Sequence, residues 1–206
     1  MYATIRTIIC IIFWVAGAAY LKKNGLRKVK YFIGMTCALF AMEVILNLLP
    51  IENLFLSFDS PEAAYSYTYS IPTLVTVDGE ESTLVVGING QTKTSLIVPK
   101  KSDTVWKIGR GIDTKITHYG IKNRMSANHV SATIYRYKNT KDYYIKLFLL
   151  MPGDAVVSDS RNTEFLKTER FIEAIGESYF TYYAYVKNLS APYSVQVNGE
   201  DICLLE

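Results

Sequence analysis

Apolar residues dominate the first fifty positions and then give way to short runs that alternate with polar ones. Two long runs stand out, 8–21 and 31–50. Extended back to Tyr2, the first reaches the roughly 20 residues that a helix needs to cross a bilayer. Arg6 then lies near one end, where a long cationic side chain reaches the interface. The second run contains Glu43 and Asn47 and stops at Pro50. Tyr20 and Tyr31 fall where interfacial aromatics sit. Between the runs, residues 22–30 carry Lys22, Lys23, Arg27, Lys28 and Lys30 and no acid. Loops of that charge stay on the cytoplasmic side.

The pattern predicts a two-helix transmembrane hairpin over residues 1–50, with helices at about 2–21 and 31–50. The amino terminus and everything after residue 50 then lie outside the cytoplasm. A rival reading takes 8–21 as a signal peptide cleaved near Ala16, Gly17 and Ala18. The positive charge that follows opposes export of the next segment, and either way the second helix anchors the same domain.

Helical phase sharpens the second helix. Gly34, Ala38 and Ala41 share one face, a stripe suited to close packing. Thr36, Phe40, Glu43 and Asn47 fall on the opposite face, at i, i+4, i+7 and i+11. With the small stripe turned to the first helix, Glu43 and Asn47 point away from it. A carboxylate facing lipid near the bilayer centre costs about 2.5 kcal/mol or more. Glu43 and Asn47 are therefore expected to meet a membrane-protein partner or a second copy of the chain. The bland alternative packs them on the first helix, or sets Glu43 shallow enough to reach water.

Residues 51–70 read as a tether: an interfacial apolar stretch, a break at Asp59, Ser60 and Pro61, then an extended alternation of tyrosines at 65–69 that could equally be a first strand. Residues 71–206 read as one all-β domain. Runs at 72–77 and 82–88 are joined by Asp78-Gly79, and runs at 82–88 and 92–98 by Asn89-Gly90, both hairpin dipeptides. Further runs fall at 104–108, 113–119, 130–137, 143–150, 179–187, 193–197 and 202–205. The pair 130–137 and 143–150, across a polar five-residue loop, is the clearest hairpin. Only 162–174 resists, with Phe165, Leu166, Glu169 and Ile172 in rough helical phase. It reads as one short helix or as two more strands. Short strands at regular spacing point to a β-sandwich, with an immunoglobulin-like one preferred for the second half.

Charge changes the picture little. Six of the 22 Lys and Arg precede Glu52, against one acid, Glu43. The exported domain is thus close to neutral, which gives no electrostatic case for nucleic acid. Of the three cysteines, Cys10 and Cys37 fall in the apolar runs and only Cys203 in the domain. With no internal disulfide, the domain relies on its core, a composition that suits a bacterial cell surface.

Candidate chemistry is sparse. His118 and His129 lack a second ligand at metal-binding spacing, and Asp103 and Asp113 would join them only through an unknown fold. No serine lies in a nucleophile elbow. Cys203, in the apolar run 202–205, reads as a small buried hydrophobe. Residues 87–94 fail the spacing of a phosphate loop and carry a hairpin turn instead. Arg110, between two glycines, reads as part of a turn. No residue is assigned to catalysis, a metal or a cofactor.

Tyrosine is the one unusual abundance, with sixteen residues. In 179–187 one face carries Phe180, Tyr182, Ala184 and Val186, expected in the core. The other carries Tyr179, Thr181, Tyr183 and Tyr185. With Tyr135 and Tyr143 these tyrosines form a candidate binding surface, set against the plainer reading of half-buried strand residues. The sequence as a whole predicts a two-pass membrane protein displaying an all-β domain, with a non-enzymatic role in binding, sensing or as accessory subunit of a membrane complex. The alternatives are a membrane-tethered hydrolase and a self-assembling structural or immunity-type protein.

Overall fold

A computed structural model of the chain describes residues 2–25, 29–48, 50–90, 92–109, 114–121, 129–150, 154–172 and 177–205. Two long helices come first, α1 (Tyr2–Lys23) and α2 (Val29–Leu48). They lie side by side and antiparallel: Thr7 Oγ1 donates to Glu43 Oε1 (3.1 Å) and Trp14 Nε1 to Thr36 Oγ1 (3.1 Å). Gly17 leaves room for Met35, whose sulfur lies 2.5 Å from where a Cβ would stand. Residues 29–46 of α2, with mean hydropathy 1.7, are long and apolar enough to cross a membrane.

The interface between the helices reverses the face expected from helical phase. Thr36 and Glu43 meet α1, while the small stripe looks outward. Ala38 and Ala41 are exposed, and a Cβ on Gly34 would touch nothing. Groups that need hydrogen bonds turn toward the neighbouring helix, where each finds a partner. The side chain of Asn47 lies outside the described residues. Arg6 packs against the chain that follows the helices. It is buried, with Nε 3.1 Å from Glu52 Oε1 and Nη2 2.5 Å from Oε2.

Residues 51–70 are docked rather than extended. A 3-10 turn (Ile51–Leu54) presents Glu52 to Arg6. Asn53 then bonds both backbone groups of Ile108, and Lys107 Nζ donates to the carbonyls of Asn53 and Leu56. The tyrosine alternation forms helix α3 (Pro61–Tyr69), capped by Ser60, whose Oγ accepts from Ala63 N at 3.1 Å. Pro61 in the first turn and a serine cap outweigh the period-two pattern. The helix buries Pro61, Ala64 and Tyr65 on one face.

Among the described residues twelve strands form three antiparallel sheets. The first sheet has the order β1 (Thr73–Asp78), β2 (Ser82–Asn89), β3 (Thr92–Ser102), β4 (Val105–Trp106). The central sheet contains β5 (Thr114–Ile121), β6 (His129–Tyr137), β7 (Asp142–Leu150), β9 (Leu166–Ile172) and β10 (Glu177–Lys187), in the order β5-β6-β7-β10-β9. The third pairs β8 (Val157–Asp159), β11 (Tyr193–Val197) and β12 (Glu200–Leu205) in the order β12-β11-β8. The segment 162–174 supplies β9, so the helical option fails there. Its register against β10 matches Leu166 to Tyr183, Thr168 to Thr181 and Arg170 to Tyr179. Those three turn inward while charged Lys167 and Glu169 turn out.

The sheets stack in layers, and period-two alternation decides what each face meets. Even-numbered residues of β6 and β10 and odd-numbered residues of β7, among them Ala132, Ile145, Leu147, Phe180 and Tyr182, pack against Val195, Val197, Ile202 and Leu204 of the third sheet. The opposite face, with Tyr137, Tyr144 and Tyr183, packs against Val77, Leu84, Val86 and Ile97 of the first. Helix α3 covers the outer side of that first sheet, on Val85, Leu96 and Val98. The central sheet is therefore covered on both faces. A buried carboxylate ties the inner layers: Asp142 accepts from Glu81 N (2.8 Å), Ser82 Oγ (2.9 Å), Tyr185 OH (3.0 Å) and Glu80 N (3.3 Å).

Candidate binding site between the first and central sheets

The face of β10 that carries Tyr179, Thr181, Tyr183 and Tyr185 does not look into solvent. Tyr183 is fully buried and Thr181 nearly so, because the first sheet lies over them. Tyr135 shares this face, opposite Tyr144. Tyr143 pairs with Arg136 and Val186 and belongs to the other face, toward the third sheet. The five tyrosines thus form no single exposed surface. Four of them line one interlayer face, and Tyr143 lies across the sheet.

Past the apolar contact between these layers, the same face turns polar and cationic. The start of β3 brings Lys93 over β9 and β10. Its Nζ donates to Thr181 Oγ1 (3.0 Å) and Thr168 Oγ1 (3.2 Å), and sits 5.5 and 5.9 Å from the ring centres of Tyr179 and Tyr183. Lys146 stands opposite Tyr183 on β7, and Arg170 opposite Tyr179 on β9. Arg170 also bonds the carbonyl of Gly90 in the β2–β3 turn at 3.0 Å. Phe148 and Tyr179 meet beside the cluster, with ring centres 5.1 Å apart and planes tilted by 48°.

Electrostatics here are unbalanced. Burial, and then the neighbouring charges of Lys146 and Arg170, pull Lys93 down to about 8. Burial alone lowers Lys146, since desolvation penalises the charged form. Among the described residues neither lysine pairs with a carboxylate. Burial, with the phenols of Tyr135 and Tyr179 adding to it, raises Tyr183 well above the usual phenol range. Its hydroxyl is buried and meets no hydrogen-bond partner among the described residues. Leaving such a group unmatched costs about 1–3 kcal/mol.

A concavity of about 650 Å³ opens elsewhere, beside β1 and β10, and is lined by Asp78, Arg161, Glu164 and Lys187 among others. Its charges are largely spent within the fold. Arg161 donates to the carbonyls of Lys187 and Asn188, Lys187 pairs with Glu80 at 2.5 Å, and Asp78 accepts from Thr83. The interlayer cluster, with two lysines that meet no carboxylate and a buried hydroxyl that meets no partner among the described residues, is the stronger candidate.

His118 falls on β5 opposite Thr133 and His129 on β6 opposite Leu150; their side chains, like Asp113 and Arg110, lie outside the described residues. Cys203 is exposed, not buried, because Ile202 and Leu204 take the inward positions of β12. Residues 87–94 carry the β2–β3 turn. Sequence reasoning singled out Tyr179 and Tyr183 but missed Lys93, Lys146 and Arg170. One signal was present: Lys146 interrupts the apolar run of β7 at an inward position. No protein-family profile matches the chain, and no curated protein or solved structure matches it either.

Proposed function

We propose that this chain is a two-pass membrane protein that presents its β domain outside the cytoplasm, where it acts as a binding, sensing or accessory subunit rather than an enzyme. The observation that carries the reading is the uncovered apolar surface of both helices. Ile8, Ile11, Ile12, Phe13 and Val15 on α1 and Ile33, Phe40, Val44 and Ile45 on α2 are all exposed. A soluble domain does not leave such a continuous patch in water. Lys22, Lys23 and Lys30 mark one end of the helical pair, and the Arg6–Glu52 contact ties the other end to the β domain. The positive end is then cytoplasmic and the domain external. Between the sheets, fixed charge, hydroxyl donors and aromatic faces have the chemistry of recognition.

The sandwich reading is supported in the second half, where the central and third sheets pack face to face. The immunoglobulin-like preference for that half remains part of the proposal, supported by two antiparallel sheets packed face to face.

A partner within the membrane remains part of this proposal, on an altered face. Thr7 supplies a donor to Glu43, which weakens the motive for a partner at Glu43 and Asn47. The outward surface of Gly34, Ala38 and Ala41 allows close approach of another helix. Photocrosslinking from Ala38 in intact membranes tests this. Capture of one identified membrane protein, or of a second copy, that is lost on Gly34→Leu supports the subunit reading. An Ala38 probe that captures only lipid contradicts it.

A further inference from the structure

We propose that the cluster of Lys93, Lys146, Thr181 and Tyr183 binds a compact oxyanion, the carboxylate or phosphate group of a ligand held between the first and central sheets. This rests on the binding role proposed above and names the ligand class for that site. Three observations carry it. Lys93, Lys146 and Arg170 come from three different strands and meet on one face, and the two lysines have no carboxylate partner among the described residues. Like charges at close quarters in a half-buried place repel strongly, and an anion between them removes that repulsion.

The second observation is the donor inventory. An ammonium has three N–H donors, and Lys93 spends two, on Thr168 and Thr181. Thr181 uses its oxygen to accept from Lys93, and Thr168 spends its own hydroxyl proton on the carbonyl of Thr181 at 3.1 Å. The third is Tyr183, fully buried with its hydroxyl unmatched and its ring 5.9 Å from Lys93. The remaining N–H of Lys93, with a buried hydroxyl on the neighbouring Tyr183, suits an oxyanion, which accepts several hydrogen bonds and is bound more strongly by charged donors. Tyr179 and Phe148 border the cluster and give the remainder of a ligand an aromatic wall.

The test uses the full chain in lipid nanodiscs. Inorganic phosphate and acetate are titrated against chloride at matched ionic strength, with binding read by calorimetry and by the shift in thermal midpoint. Saturable binding of phosphate or acetate, absent with chloride, is expected, and the tighter of the two identifies the ligand's group. Lys93→Met should weaken it at least tenfold. Tyr183→Phe should weaken it several-fold while leaving the midpoint of the free protein unchanged or raised, because the lost hydroxyl has no partner there. Affinity should fall as pH rises above about 8, where Lys93 gives up its proton. Equal shifts with chloride, full binding in both variants, or no binding of either oxyanion would overturn the proposal. Membrane topology and helix crosslinking do not depend on Lys93, so such a failure leaves the reading of the preceding subsection standing.

Discussion

Replacing Asp142 should unlock the inner two layers. The residue is fully buried and accepts four hydrogen bonds, at 2.8, 2.9, 3.0 and 3.3 Å. Three come from the β1–β2 turn and the start of β2, and one from Tyr185, so a single carboxylate fastens the first sheet to the central one. Hydrogen bonds to a charged group contribute about 1.5–3 kcal/mol each, but not all four are lost at full value. Glu80 and Glu81 are exposed, so water replaces Asp142 at their amides, and Ser82 retains Tyr144 OH at 2.9 Å. The Tyr185 bond is lost in full and the other three in part, about two bonds' worth together, so Asp142→Ala should cost about 3–6 kcal/mol of a total that is typically 5–15. Asp142→Asn keeps the shape and one acceptor but turns an amide N–H toward donors, and should cost about 2 kcal/mol. The assay is equilibrium urea unfolding of the full chain in nanodiscs, followed by aromatic fluorescence, with exposed Asp201→Asn as the control. An Asp142→Ala protein within about 1 kcal/mol of the parent would refute the view that this carboxylate holds the layers together.

Three further outcomes are expected. Because the folded state lowers Lys93, the unfolded chain binds the extra proton between about pH 8 and the usual lysine range. Stability should therefore rise over that window, and Lys93→Met should reduce the rise to the part that Lys146 supplies, as read by thermal midpoints from pH 7 to 10.5. At Asp159, burial opposes ionisation, but hydrogen bonds from Thr163, Tyr193 and Arg161 outweigh it and hold the carboxyl below its usual range. Its contribution is present above the unfolded carboxyl value and is lost as pH falls through the lowered one, so Asp159→Asn should flatten the acid limb of the stability curve. Glu52→Gln removes the charge that faces a buried guanidinium and should cost about 3 kcal/mol, whereas Arg6→Leu with Glu52→Leu should recover most of it. A double-mutant cycle on thermal unfolding checks this, and simple additivity would show that the pair is not coupled.

Most of the β framework is legible because its strands alternate cleanly and end at turn residues. Asn89-Gly90 turns where expected, with Gly90 at φ +55°, and the pair β6 and β7 is set by two strong runs around a polar loop. Three elements hide. Strand β8 spans only three residues, too few to establish a period. Strand β9 carries Lys167, Glu169 and Arg170, whose charges break the apolar alternation that marks a half-buried strand. Helix α3 hides behind tyrosines at every second position, although Ser60 and Pro61 are a legible helix start. The candidate site is half legible for a related reason. Period two puts Tyr179, Thr181 and Tyr183 on one face, but only the fold shows that Lys93, some ninety residues earlier, lies over them. Helical phase likewise separates two faces of α2 without saying which meets α1. The bonds from Thr7 and Trp14 decide that.

The central claim is that the helical pair crosses a membrane twice and holds the β domain outside. Thiol labelling of the full chain in intact cells tests it most directly, with Cys10 and Cys37 changed to Ser. Cys203 is exposed on the domain and Asn24 is exposed beyond the end of α1. With a membrane-impermeant reagent, Cys203 should react in intact cells, and a cysteine placed by Asn24→Cys should react only after permeabilisation. Labelling of the Asn24→Cys site in intact cells, or protection of Cys203 until the membrane is opened, would contradict the account.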